Sequence, residues 1–470
     1  MSSIQTNLSL ALGVGLVAIV LSVYGVITEA FTRNASVGYN LVVGPKGSPL
    51  QLTLNSVYYL SQPIENLPYT EYMEFYSQSD RAAMVERFGG DEELATRNGR
   101  YAPYVAGGYA IPLALGDYFG EFRVVGTTPD FFEKLRHGPN VDEEFTFAQG
   151  RALQEFTPEH GYFEAVVGSR VAAEMEVGVG DRFYPTHGDP TGHGHDLGFT
   201  IVGVMDPTGT PNDRAAFVNL EGFYLMDGHA KPVEEDESAD EPTSAEESVE
   251  EETEEQGDAV ESAEAESAEN ASGSSSLFAR DDYRLLSIPE REVTSILVRN
   301  GNLMFAPAMQ NAINELPWSQ AAAPIGEINK LMSLIVGPLL TALLIITLIT
   351  CVVAAVGILV AIYNSMNDRR RDIAVMRALG ARRDTVTAII LFESGLIAVI
   401  GGVCGWVLAH LAILSYSGQI EAQTGVQVGF LTISDFEIWI LPLVFGLALI
   451  AGFIPAWTAY QTDVGSNLSA

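Results

Sequence analysis

Between His187 and Asp196 three imidazoles and two carboxylates fall within ten residues: His187, His193 and His195, with Asp189 and Asp196. Imidazole nitrogen and carboxylate oxygen are the donors that Zn and Cu accept, so His187, His193, His195 and Asp196 form a candidate metal set. The Gly and Pro residues between them describe a surface loop. No His-Glu-x-x-His pair on one helix face accompanies the loop, which argues against a zinc hydrolase. A plain surface loop, a metal-binding loop and an outer-face metal-dependent enzyme are the alternatives, and the enzyme is the one that predicts loss of function on exchange of His193 and His195.

A second constellation is basic. Arg369, Arg370, Arg371, Arg377, Arg382 and Arg383 surround Asp372, Ile373, Met376, Ala378 and Leu379, and Gly380 follows. Apolar and basic residues at this spacing make a short helix that Gly380 would end. Such a helix can dock on a partner, or its arginines can simply hold the loop on the cytoplasmic face. The chain does not supply ATP chemistry by the usual route. A phosphate-binding loop needs Gly, four residues, then Gly-Lys-Ser or Gly-Lys-Thr, and none occurs. Gly44-Pro-Lys-Gly-Ser48 has those residue types in another order and reads as a turn after a strand.

The elements that must hold these groups divide the chain. Runs at 8–27, 331–363, 386–414 and 436–460 are apolar over the roughly 20 residues that a bilayer-crossing helix needs. The second is longer than required and predicts a helical stalk. The 364–385 loop keeps six arginines, whereas 415–435 has neither Lys nor Arg. By the positive-inside rule the first loop is cytoplasmic and the second outside. This predicts cytoplasmic tails at 1–7 and 461–470 and an outer domain over 28–330. The first span lacks a basic flank and is longer than a signal-peptide core, so it reads as an uncleaved anchor. Inside the third span, His410 and Glu393 are costly unless they face another helix, and Gly395, Gly401, Gly402 and Gly405 would let one approach closely.

Hydrophobic residues make up 47% of the 470, yet the formal net charge is −35. The two properties must therefore sit in different places. Residues 234–269 hold 18 acidic and no basic side chains. The surrounding 231–276, made of Glu, Ser and Ala, cannot bury enough apolar surface to offset its chain entropy and is expected to be a disordered insertion. An acidic chain of this kind is no nucleic-acid binder. The only cysteines, Cys351 and Cys404, lie in apolar runs, so the outer domain has no disulfide framework. Short Val, Phe and Tyr runs at 39–43, 122–125, 165–167, 199–204 and 296–298 predict strands, and 70–88 and 307–316 predict helices. The segment Thr208-Gly-Thr-Pro-Asn-Asp213 reads as a compact turn.

Asn367-Asp-Arg-Arg-Arg-Asp-Ile-Ala-Val-Met-Arg-Ala-Leu-Gly-Ala381 closely resembles the cytoplasmic coupling segment of the FtsX and MacB type of ABC transporter permease. Ile454-Pro-Ala-Trp-Thr-Ala-Tyr-Gln-Thr-Asp463 resembles the closing helix of that family. Phe122-Arg-Val-Val-Gly-Thr-Thr-Pro-Asp-Phe-Phe132, Gly150-Arg151, Ala165-Val-Val-Gly-Ser-Arg170 and Phe199-Thr-Ile-Val-Gly-Val204 resemble its outer core domain in order and spacing. Val464 departs from a usual Pro, and the acidic insertion has no counterpart.

The resemblance implies four transmembrane helices and a mixed α+β extracytoplasmic domain of MacB periplasmic-core type, in a bacterial inner membrane. It implies a permease dimer, of like or unlike chains, and a separate ABC ATPase that holds the ATP and Mg. A periplasmic adaptor is a further implied partner. Arg369, Arg370, Arg371, Asp372, Met376, Arg377, Leu379, Gly380 and Arg382 would receive the ATPase. The implied function is export or extraction of a substrate at the outer face, and the alternative is a signalling permease that activates an outer partner such as a cell-wall hydrolase. No residue selects among lipoproteins, peptides, lipids and antibiotics as cargo. Deleting residues 234–269 is expected to leave assembly and thermal stability intact, as measured by detergent size-exclusion chromatography and a melting curve.

Overall fold

The computed structural model describes residues 11–22, 24–25, 38–137, 142–188, 194–229, 283–368, 375–376, 379–424 and scattered positions from 438 to 457. Its strands are β1 (Leu41–Pro45), β2 (Leu67–Pro68), β3 (Tyr109–Phe119), β4 (Phe122–Thr127), β5 (Phe147–Gly150), β6 (Glu164–Val167), β7 (Arg182–Phe183), β8 (Thr186–His187), β9 (Phe199–Met205), β10 (Ala215–Asn219), β11 (Glu292–Val293), β12 (Ser295–Arg299) and β13 (Ser319–Ala322). Eleven of them form one mixed sheet. Its main path is β13-β1-β12-β3-β4-β10-β6-β9-β5, with β7 on β9 and β8 on β3, while β2 and β11 pair separately. Strands from both sides of the acidic run share the sheet: Val42 stands opposite Leu297 of β12 and Ala322 of β13.

Period-two alternation explains why both faces are covered. In β1, Val42 packs with Leu52, Val57 and Ile328 on one face, and Leu41 and Val43 pack with Tyr72, Met309 and Ile313 on the other. In β10, Phe217 joins the first of these groups, while Ala216 and Val218 join Phe223 and Val171. The Pro49–Tyr58 helix, capped by Ser48, covers the first face, and the Ala306–Asn314 helix covers the second at one end. The stretch expected as one helix over 70–88 is two, Tyr69–Met73 and Gln78–Phe88. The break centres on Glu74. Its buried carboxylate meets Arg97 at 2.6 Å and Arg81 at 3.3 Å and accepts the Arg100 backbone N–H at 2.7 Å.

Two helices among the described residues are long and apolar enough to cross a membrane. The first starts at Pro324 within the outer domain, where Ile328 is fully buried in the core, and passes through a π-helical turn at Met332–Val336 into Gly337–Asp368. The expected stalk therefore begins earlier and its helix ends later than 331–363. Leu334, Leu339, Leu348 and Val353 lie open along it. An apolar surface on this scale suits lipid rather than water. The second helix is Arg383–Thr424, longer at both ends than the expected 386–414.

A third, shorter apolar helix, Ala11–Ser22, packs on both. A Cβ on Gly15 would meet the Gly405 carbonyl oxygen at 3.1 Å, and one on Gly13 would meet Thr350 Cγ2 at 3.4 Å. Gly405 and Gly395 act as the small-residue pattern predicts, since Gly395 faces Phe445 in the same way. Only isolated positions of the expected fourth span are described.

Burial pushes the Glu74 carboxyl up, but the hydrogen bonds from Arg97 and Arg100 and the charge of Arg81 outweigh it and hold the group at about 2. A depressed carboxylate stabilises the fold fully above its unfolded value and loses that contribution as pH falls through the folded one. Glu74→Gln should therefore lower stability by about 3 kcal/mol at pH 7. Melting curves of both proteins across pH should show the gap closing between about pH 4.5 and pH 2.

Candidate functional site

Asp117 lies near the end of β3, inside the register shift between Leu115 and Tyr118. There β8 pairs with β3 and sets His187 opposite Asp117. The chain then returns at His195, whose N–H donates to the Pro185 carbonyl at 2.9 Å. His229 arrives from the other direction, after the Leu220–Tyr224 helix, and its ring centroid sits 4.3 Å from that of Phe223. That helix is anchored by a buried ion pair between Glu221 and Arg291, whose guanidinium lies 3.7 Å from the Phe88 ring centroid. Tyr224 adds a hydrogen bond to the Glu292 carbonyl at 2.5 Å.

The result is a compact group of four, Asp117, His187, His195 and His229, with one donor atom from each within 4.8 Å of the others. The Asp117 side chain is fully buried, and those of His195 and His229 are nearly so, while His187 is more than half exposed. His187 Nδ1 stands 3.2 Å from Asp117 Oδ1. His195 Nε2 and His229 Nε2 each stand 3.1 Å from Asp117 Oδ2 and 3.3 Å from each other. Oδ2 finds no well-aligned hydrogen-bond donor, and the two imidazoles bond each other through their Nε2 atoms. Burial pushes the His195 imidazole below its ordinary value, with Asp117 pulling the other way.

Of the four residues expected as a metal set, the structure brings together His187 and His195. Asp196 is exposed and outside the group, because the chain turns it to solvent directly after His195. His193 lies outside the described residues. Sequence spacing missed Asp117 and His229. The compact turn after β9 does form: Asp213 accepts from the Thr208 and Gly209 backbone N–H groups at 2.9 and 2.8 Å. It stands apart from the four.

Of the expected coupling residues, Arg369, Arg370, Arg371, Asp372 and Arg377 lie outside the described residues. Met376 is helical, and the Ala381 N–H donates to its carbonyl at 3.0 Å. Gly380, at φ +103°, takes the left-handed conformation that ends helices and that other residues resist. Leu379 beside it is 84% exposed. Arg382 is also open to solvent and pairs only loosely with Asp384 at 3.4 Å. An apolar side chain this open, three residues before the exposed Arg382, is a surface for a partner to cover.

Comparison with known proteins matches both parts of the chain. Residues 3–241 match the MacB-like periplasmic core domain, just over half of the chain, and residues 338–464 match the FtsX-like permease C-terminal domain. An uncharacterised ABC transporter permease of Methanocaldococcus jannaschii is 28% identical over 135 residues, which are 28% of this chain and 33% of that protein. The macrolide export ATP-binding/permease protein MacB of a Shewanella species is 32% identical over 120 residues, 25% of this chain and 18% of that protein. MacB of Acinetobacter baylyi is 30% identical over 124 residues, 26% and 18% respectively. The aligned stretches thus span a third of the first relative and less than a fifth of the MacB proteins.

Proposed function

The chain belongs to the FtsX/MacB-like family of ABC transporter permeases, and from that premise we propose that it turns ATP hydrolysis by a partner ATPase into mechanical work at the outer face of the membrane. It is a membrane protein with an outer α/β domain. On this reading four helices cross the inner membrane, both termini are cytoplasmic, and two permease copies work together. Residues 364–385 meet the ATPase, which holds the ATP and Mg. The relatives named for macrolide export support export or extraction as the reaction class.

One observation carries the proposal. A single helix runs from the core of the outer domain, where Ile328 is fully buried, to Asp368, the residue before the arginine run. Full burial of an Ile contributes roughly 1.5–3 kcal/mol, enough to fasten the helix to the domain it would move. The i→i+5 turn at Met332–Val336 keeps the backbone bonded while changing the helical register, and such turns recur at functional sites. Motion at the cytoplasmic end then reaches the outer domain without cargo crossing the bilayer through the subunit.

Reversing two charges, Arg371→Glu and Arg377→Glu, should abolish recovery of an ABC ATPase on affinity purification from mild detergent, together with vanadate-sensitive hydrolysis in the eluate. The melting curve of the outer domain should not change. Undiminished complex formation by the double variant would contradict the docking role.

A further inference from the structure

The geometry points to a Zn2+ site on the outer domain formed by Asp117, His195 and His229, with His187 as the solvent-facing fourth ligand. Nothing in the permease reading requires such a site, and its four residues come from three separate segments of the domain. Donors about 2.0–2.1 Å from a tetrahedral Zn2+ stand roughly 3.3–3.4 Å from one another. Asp117 Oδ2, His195 Nε2 and His229 Nε2 already form a triangle with edges of 3.1, 3.1 and 3.3 Å. One face of the tetrahedron is thus assembled, and a ring nitrogen of His187 lies within the 4.8 Å that encloses the whole group.

A second observation points to a ligand independently. Asp117 is fully buried, and its Oδ2 atom is aimed at the two imidazoles without a hydrogen bond. A buried carboxylate oxygen left without a partner is costly, so folded proteins rarely leave one. The two imidazole Nε2 atoms, each 3.1 Å from that oxygen and 3.3 Å from each other, can both turn lone pairs to a shared cation, which would replace the hydrogen bond between them. Three nitrogens and one oxygen select against Mg2+ and Ca2+, which take oxygen ligands, and suit Zn2+. The ion would tie β3, the segment ahead of β9 and the segment after the Leu220–Tyr224 helix into one unit, so occupancy would stiffen this end of the outer domain.

The test uses the tag-free full-length chain in detergent, stripped with a chelator and titrated with ZnCl2 against a chromophoric competitor. Binding of about one Zn2+ per chain with a Kd below about 1 µM is expected, with a rise in melting temperature that added chelator reverses. His195→Ala/His229→Ala should lose both effects. His187→Ala changes an exposed side chain and so keeps the fold; it should weaken binding at least about tenfold. A folded wild-type protein that takes up no Zn2+ at about 10 µM free ion overturns the assignment. So does a folded His187→Ala chain, or a folded double variant, that binds as tightly as wild type.

Discussion

A break in the helix from Pro324 to Asp368 would be costly where it crosses the bilayer, because hydrocarbon offers no partner to a freed backbone group and each one costs several kcal/mol there. The chain meets this constraint by winding the transition from outer domain to bilayer as helix throughout. Its one irregularity is the π turn at Met332–Val336, which stays hydrogen-bonded. Above the turn, Ile328 belongs to the same core as Val42, Phe217 and Leu297. The helix is therefore part of the sheet domain rather than a tether to it. Below the turn, its open apolar side chains face outward, and Gly13 of the Ala11–Ser22 helix lies close to Thr350.

The same logic of fixed anchors governs the surroundings of the histidine cluster beside β3. The buried Arg291–Glu221 pair sits among Phe88, Tyr69 and Tyr224 and holds the short helix that delivers His229. Removing one partner of such a pair leaves a charge stranded, which is why the pair specifies one arrangement even where its net stabilisation is small. Asp117 is positioned by the pairing of β3 with β8 and by its side-chain contact with His187. Its carboxylate and the three imidazoles form a dense polar group of their own, separate from the buried ion pairs at Glu74 and Glu221.

Much of this was legible from the residues. The Val-rich runs at 39–43, 122–125, 165–167, 199–204 and 296–298 correspond to β1, β4, β6, β9 and β12, since a two-sided sheet writes itself as short apolar stretches. The longest strand, β3, is not legible in the sequence because Pro112, Gly116 and Asp117 interrupt its apolar pattern. For the same reason Asp117 could not be read as a ligand: it lies 70 residues from His187, and only the pairing of β8 with β3 joins them. His229 is 34 residues from His195 and has no local motif around it. The helix break at Glu74 was hidden too, because it depends on three arginines that the fold gathers around one carboxylate. Gly380, whose positive φ is a local demand, was readable directly.

The most direct test of the account is whether the outer domain responds to nucleotide through this helix. A fluorophore on Met304→Cys, an exposed site of the outer domain, in a chain with Cys351 and Cys404 replaced by Ser, would report that response in the complex with the ATPase. ATP with vanadate should change the signal in the intact chain. A flexible Gly-Gly-Ser insertion after Ser333 should remove the change while ATPase binding and hydrolysis persist. An unaltered response in the chain with the insertion would show that the motion travels by another route.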